Sequence, residues 1–295
     1  MSTTTPQTPG ALRALPMTLP RLAEKKRLGE PIVMVTAYDH PSARVADAAG
    51  VDLVLVGDSA ANVVLGYSST VPVSVDELVM LGAAVRRGLS TPLMISDMPF
   101  GSYEASNELA IANAQRFVKE AGADAVKLEG GGKMVERARA IAEAGIPVMG
   151  HVGLTPQTAT ALGGYKAQGR TAEAALRVAE DALALQDAGC FSIVFEAIPS
   201  GVTEEVMYTM EIPVIGIGAG PSTDGQVLVF HDLLGISEFG GARFVKRYGD
   251  LMDDMVRGVG SYADDVREKR YPAPEHTYSI DPGELADFRS RLKAA

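Results

Sequence analysis

Short apolar runs recur along the chain, and each is followed by a longer amphipathic segment. The runs are continuous rather than alternating, which is typical of parallel strands that helices cover on both faces. Such runs occupy Ile32–Ala37, Leu53–Val56, Leu93–Ile95, Ala125–Leu128, Pro147–Met149, Ile193–Phe195 and Pro213–Ile217. The pattern therefore predicts repeated strand–helix units built around a parallel sheet.

The amphipathic segments predict the helices between these strands. Segments 42–49 and 107–121 end beside Gly50 and Gly122, and glycine commonly ends a helix in the left-handed conformation. An eighth strand is predicted at Val227–Phe230, where a helix would satisfy the pattern nearly as well. Eight such units in about 250 residues have the size of a (β/α)8 TIM barrel, whereas a doubly wound sheet would hold fewer strands.

The apolar periodicity weakens after Leu234, and a charged amphipathic helix is predicted over residues 248–269. We expect a disordered or extended N-terminal tail over residues 1–20. We expect a single catalytic α/β barrel domain over 21–250, and a C-terminal helical extension and tail over 251–295.

Composition excludes several classes of protein. A net charge of -10 provides no basic field for nucleic acid or an anionic membrane, and no run of about 20 apolar residues could span a bilayer. The single cysteine, Cys190, excludes an intramolecular disulfide, and the N-terminus lacks the pattern of a secretory signal. We expect a cytoplasmic protein with no nucleic-acid or membrane partner.

Polar residues close several of the apolar runs. In a barrel of this type, catalytic groups project from the carboxyl ends of the strands. The polar residues at these ends are Asp58, Ser59, Asp97, Lys127, Glu129, His151 and Glu196. A single Asp after a strand usually caps the next helix, but several carboxylates at one mouth repel one another unless a cation or proton shares the site. The set therefore favours a metal site.

Oxygen ligands indicate a hard cation such as Mg2+. Asp58 and Asp97 are the preferred ligands, with Glu129 a third, direct or through water. His151 is predicted to bind substrate oxygens, although metal ligation or simple packing is also consistent with its position. Lys127 shares a strand face with Glu129. It could neutralise a substrate carboxylate, form a Schiff base, or pair with Glu129 or Asp97.

A long loop follows the fifth run and contains Gly163-Gly164-Tyr165-Lys166 and Gln168-Gly169-Arg170. It is long enough to form a lid over the mouth, and an ordinary surface connection is the alternative. The glycines of segment 216–220 could hold an anion on backbone N–H groups, or they could permit close packing without a ligand.

These motifs resemble those of the ketopantoate hydroxymethyltransferase family. The matching segments run in order from about Leu22 to Lys246 and include residues 36–39, 56–59, 97–100, 126–130, 150–157, 163–166, 168–170, 213–220 and 224–226. The resemblance implies a (β/α)8 barrel, usually a homodecamer, that acts in pantothenate and coenzyme A biosynthesis. It implies transfer of a hydroxymethyl group from 5,10-methylenetetrahydrofolate to 3-methyl-2-oxobutanoate, which gives 2-dehydropantoate.

The resemblance also implies roles for residues at the strand ends. By role, these are Asp58 and Asp97 as Mg2+ ligands that also contact substrate, Glu129 as a further metal-site acid, Ser59 and Lys127 as substrate-binding residues, and Glu196 as the catalytic base. The alternative enzyme is a Mg2+-dependent 2-oxo acid lyase or mutase of the phosphoenolpyruvate and isocitrate-lyase type. Its acid cysteine has no counterpart here, because Cys190 precedes a strand. A non-catalytic metabolite-binding barrel is a further alternative.

Overall fold

Eight parallel strands close into a barrel in the computed structural model, which describes residues 15–237 and 242–294. The strands pair in chain order, and the last pairs with the first. They are β1 Ile32–Thr36, β2 Leu53–Val56, β3 Leu93–Asp97, β4 Ala125–Lys127, β5 Val148–Gly153, β6 Ser192–Glu196, β7 Val214–Ile217 and β8 Gly225–Leu228. The predicted (β/α)8 fold is confirmed.

Helices connect most of the strands. They are α1 Leu19–Leu28, α2 His40–Ala49, α3 Ala60–Val63, α4 Val75–Gly88, α5 Asn107–Arg116, α6 Met134–Glu143, α7 Ala172–Asp187, α8 Ser200–Met207, α9 Phe230–Leu233, α10 Leu251–Arg267 and α11 Pro282–Ala294. Local sequence sets their ends: Ser74 and Glu77 form a capping box at the start of α4, and Gly50 ends α2 with φ 72°.

The connection from β7 to β8 departs from the repeated pattern. Residues 218–224 cross from the end of one strand to the start of the next without a helix. The predicted eighth strand, Val227–Phe230, is therefore placed too late, because β8 already begins at Gly225. Phe230 instead starts α9, and its backbone N–H donates to Thr36 Oγ1 at 2.8 Å.

Alternation along the strands separates two parts of the core. One set of side chains packs inside the barrel, and it includes Leu93, Ile95, Ala125, Met149 and Val194. The other set, including Val54, Met94, Val126 and Phe195, packs against the helices. Because side chains alternate along a strand, a residue two positions after an inward residue also points inward. This alternation directs Asp97, Lys127, His151 and Glu196 into the mouth of the barrel.

Helix α1 is joined to the amino-end segments of two strands. Its Leu22 is fully buried in the inner cluster, together with Ile32 and Leu53. Lys25 pairs with Asp52 at 3.0 Å, and Lys26 pairs with Asp224 at 2.8 Å, one residue before β2 and β8 respectively. The barrel is therefore closed at its amino end by a helix that belongs to its core.

Residues 249–294 form a second compact unit that contains α10 and α11. The helix predicted over 248–269 is observed as α10. Residues 1–14 of the expected tail lie outside the described residues, and α1 already begins at Leu19. The domain bounds stay a prediction. None of the described helices combines the length and apolar character needed to cross a membrane.

Candidate active site

A pocket of about 170 Å³ lies at the carboxyl ends of the strands and contains every site residue predicted from the sequence. The predicted residues that line it are Asp58, Ser59, Asp97, Lys127, Glu129, His151 and Glu196. Register explains part of this convergence, because Asp97 pairs directly with Lys127 across β3 and β4. The expectation that these strand ends share one mouth is correct.

Lys127 forms an ion pair with Asp97, with its Nζ 2.8 Å from Oδ1, and both side chains are almost fully buried. Burial alone would lower the pKa of Lys127. Attraction to Asp97, Glu129 and Asp58 outweighs burial and holds this pKa above its ordinary value. Of the alternatives for Lys127, the ion pair with Asp97 is present in the structure, and its binding of a substrate carboxylate stays a prediction. A lysine held in its charged form is a poor Schiff-base nucleophile.

Asp58 lies beside this pair. Its backbone N–H donates to Asp97 Oδ2 at 2.9 Å, and its Oδ2 accepts from Gln157 Nε2 at 3.0 Å. Burial, together with the negative charges of Asp97 and Glu129, raises the pKa of Asp58 to about 8. A proton and a cation would therefore compete for Asp58 near neutral pH.

His151 connects two further carboxylates. Its Nδ1 lies 3.4 Å from Glu129 Oε1, and its Nε2 lies 3.1 Å from Glu196 Oε2. Burial and the charge of Lys127 lower the pKa of His151. The contacts with Glu129 and Glu196 outweigh them and raise it to about 9. The ring therefore lies between the two acids, and its Nδ1 is also 3.2 Å from Lys127 Nζ.

Three further buried side chains support the site and were given no role from the sequence. Tyr38 Oη lies 2.8 Å from Ser59 Oγ. Gln157 donates through its backbone N–H to Glu129 Oε2 at 3.0 Å and through Nε2 to the Met98 carbonyl at 3.0 Å. The hydroxyl of Tyr103 donates to Gln157 Oε1 at 2.7 Å. Both Tyr38 and Gln157 fall within the matching motifs, which is the only signal that could have singled them out.

The donor set is consistent with a hard cation. Its oxygen ligands would come from Asp58, Asp97 and Glu129, and a cation there would relieve the like-charge repulsion that raises the pKa of Asp58. Within residues 15–237 and 242–294, no three His, Cys, Asp or Glu side chains are already arranged to hold an ion. Mg2+ commonly takes several of its ligands from water or substrate rather than from protein.

Comparison with known proteins identifies the family. A model of the family described as ketopantoate hydroxymethyltransferase matches residues 16–274, which is most of the chain. The chain belongs to this family. The resemblance found in the strand-end motifs is therefore confirmed.

Relatives named 3-methyl-2-oxobutanoate hydroxymethyltransferase match this member of the family over nearly its whole length. One from Heliobacterium modesticaldum is 50% identical over 265 residues, which cover 90% of this chain and 96% of the relative. A mitochondrial one from Arabidopsis thaliana is 47% identical over 284 residues, covering 94% of this chain and 82% of the relative.

Solved structures with low sequence identity show the same fold. Phosphonopyruvate hydrolase in complex with oxalate and Mg2+ matches with a TM-score of 0.56 at 13% identity, covering 94% of this chain and 97% of that chain. A 2,3-dimethylmalate lyase of the phosphoenolpyruvate mutase and isocitrate lyase superfamily matches with a TM-score of 0.52 at 17% identity, covering 95% and 99%. These likenesses concern the fold alone.

Proposed function

We propose that this protein transfers a hydroxymethyl group to 3-methyl-2-oxobutanoate, with 5,10-methylenetetrahydrofolate as the donor. Water is consumed, and the products are 2-dehydropantoate and tetrahydrofolate. The observation that carries the proposal is the buried array at the barrel mouth, where Asp58, Asp97 and Glu129 share a pocket with Lys127 and His151. Membership of the ketopantoate hydroxymethyltransferase family supports the same reaction, as does 50% identity to a relative named 3-methyl-2-oxobutanoate hydroxymethyltransferase.

Substrate binding follows from the charges of the pocket. Lys127 and Ser59 hold the carboxylate of the oxo acid, and Tyr38 orients Ser59 through the contact between their hydroxyls. Asp58 and Asp97 hold Mg2+, with Glu129 as a further acid of the metal site. When bound, the metal supplies a Lewis acid that stabilises negative charge on the keto oxygen as the C3 proton leaves.

Glu196 is proposed as the base that removes the C3 proton. Its side chain is 15% exposed, so it lies at the outer limit of the buried array, and its Oε2 faces His151 Nε2 at 3.1 Å. The C3–H electrons form the new bond to the methylene carbon of the donor as the first of that carbon's two bonds to folate nitrogens breaks, and the released nitrogen takes up the proton removed from C3. Water then supplies the hydroxyl group as the second carbon–nitrogen bond breaks, and the second nitrogen takes up the remaining proton of the water.

Proton exchange at C3 tests the proposal without the donor. We expect the protein to exchange the C3 proton of 3-methyl-2-oxobutanoate for deuterium in the presence of Mg2+, and we expect this exchange to stop when EDTA is added. Proton NMR follows the exchange. Glu196→Gln should abolish exchange while oxo acid and Mg2+ still bind, because only the base is lost. Retained exchange in this variant would move the base to another residue, and no exchange in the wild type would refute the proposal.

The lyase or mutase alternative finds less support at the mouth. Cys190 is buried, lies two residues before β6, and its burial raises the pKa of its thiol to about 12. A thiol at the amino end of a strand cannot supply the acid that this alternative uses at the carboxyl end. Cleavage of 2,3-dimethylmalate or phosphonopyruvate by the purified protein would favour the alternative.

The homodecameric state and the cytoplasmic location are further parts of the proposal. The first rests on the family resemblance, and the second rests on the composition of the chain. Light scattering of the purified protein tests the first, and fractionation of cells tests the second.

A further inference from the structure

A second, larger cavity adjoins the catalytic pocket. The inner pocket has a volume of about 170 Å³, and the outer chamber has a volume of about 1130 Å³. The two share the lining residues Ser59, Asn62, Tyr165, Glu196 and Val229. Pockets for drug-sized ligands span about 300–1,000 Å³, so the inner pocket holds only a small acid. The outer chamber is large enough for a second, bulkier molecule.

We propose that the outer chamber binds the one-carbon donor and that Lys166, Arg170 and Arg243 hold the carboxylates of its tail. This inference rests on the proposed function, because it takes the reaction to need a donor beside the oxo acid. To the proposed function, the inference adds the place where the donor binds and the residues that bind the donor's anionic end. Glu196 lines both cavities, so a donor in the chamber can present its methylene carbon directly to the reacting C3.

The chamber is lined by more cationic than acidic residues, although the whole chain has a negative net charge. The protein carries a net charge of -10, yet Lys166, Arg170 and Arg243 all line the chamber, and Glu196 and Asp232 are the acids among the lining residues that the structure describes. Glu196 belongs to the inner end and Asp232 is half-buried. No salt bridge engages the three cations within the described part of the chain. Unpaired cations beside a cavity attract an anionic ligand.

One wall of the chamber is apolar and is built against the glycine-rich segment after β7. Phe244 and Ile198 line it. Gly218 has φ 66°, and a Cβ there would collide with the ring of Phe244. The glycine therefore lets the aromatic ring lie directly on the backbone. An aromatic face at one side and cations at another suit a molecule that joins a flat heterocycle to a carboxylate tail.

Donor kinetics test the assignment. In the double variant Lys166→Gln/Arg170→Gln we expect the KM for 5,10-methylenetetrahydrofolate to rise, because two ion pairs with the donor are lost. The rise should be limited to about 5- to 30-fold, because each exposed ion pair is weak. For the donor analogue without glutamate, which ends at a neutral aminobenzamide and so has no carboxylate in its tail, the same variant should match the wild type. Control variant Arg87→Gln/Lys119→Gln makes the same charge change at exposed positions outside the chamber, and its donor KM should stay at the wild-type value.

Failure of this inference is distinguishable from failure of the proposed function. Wild-type protein that exchanges the C3 proton, combined with a double variant whose donor KM is unchanged, would overturn the donor site alone. An equal rise of KM for the donor and for the analogue without glutamate would also overturn it, because the cations would then act on another part of the molecule. Absence of exchange in the wild type would overturn the proposed function and this inference with it.

Discussion

Replacing Gln157 by Met should weaken Mg2+ binding while the barrel stays folded. Gln157 is buried, and its amide contacts Asp58, the Met98 carbonyl and the Tyr103 hydroxyl at 2.7–3.0 Å. Through these contacts it holds the Asp58 carboxylate in one orientation. Methionine has a similar length and no hydrogen-bonding amide, so the variant removes the contacts without opening a large cavity.

The size of the effect follows from the bonds that are lost. A hydrogen bond to a charged group contributes about 1.5–3 kcal/mol, and 1.4 kcal/mol corresponds to about tenfold in binding. Loss of a side chain that orients a metal ligand commonly lowers metal affinity about 10- to 100-fold, which agrees with this range. The Met98 carbonyl and Tyr103 hydroxyl would lose a partner as well, so the free energy of unfolding should fall by about 1–3 kcal/mol.

Isothermal titration of Mg2+ in the presence of the oxo acid measures the affinity. Gln115→Met makes the same chemical change at an exposed position on α5, and its Mg2+ affinity should equal that of the wild type. A double-mutant cycle with Asp58→Asn separates orientation of Asp58 from a general loss of stability. If Gln157→Met bound Mg2+ within about twofold of the wild type, Gln157 would not orient a metal ligand.

Other side chains lead to equally direct expectations. The pKa of Asp58 near 8 means that a proton competes with the metal below that value, so the apparent Mg2+ affinity should rise by up to about tenfold per pH unit from pH 6 to 8 and then level off; an affinity independent of pH would contradict this. Leu22→Ala should lower the free energy of unfolding, measured in urea, by about 2–5 kcal/mol, because it leaves a cavity where α1 packs against the inner core. Tyr38→Phe should raise the KM for the oxo acid about 3- to 10-fold with little change in the thermal midpoint, because the contact that orients Ser59 is lost; an unchanged KM would remove Tyr38 from substrate binding.

The sequence pattern predicts the strands and the polar residues at their ends because both follow from simple periodicity. A buried parallel strand is a continuous apolar run, and alternation then assigns residues such as Lys127 and Glu129 to one face. The pattern predicts less where periodicity is absent. The connection between β7 and β8 contains no helix. Strand β8 is short, and the predicted strand Val227–Phe230 lies two residues after it in the sequence at both ends.

The supporting residues of the site could not be predicted in this way. Gln157 lies on a short 3-10 turn, Pro156–Thr158, where neither helical nor strand periodicity indicates the direction of a side chain. Its partner Tyr103 lies in the loop between β3 and α5, far from Gln157 in the sequence. Contacts of this kind depend on loop geometry, which one-dimensional patterns do not encode.

The nesting of the two cavities has a kinetic consequence. Helix α1 packs into the amino end of the barrel, and the inner pocket adjoins the outer chamber, so a small molecule can enter and leave the inner pocket through that chamber. A donor seated in that chamber would block the route. We therefore expect compulsory-order kinetics, in which the oxo acid binds before the donor and the hydroxymethylated acid departs after the spent carrier has left.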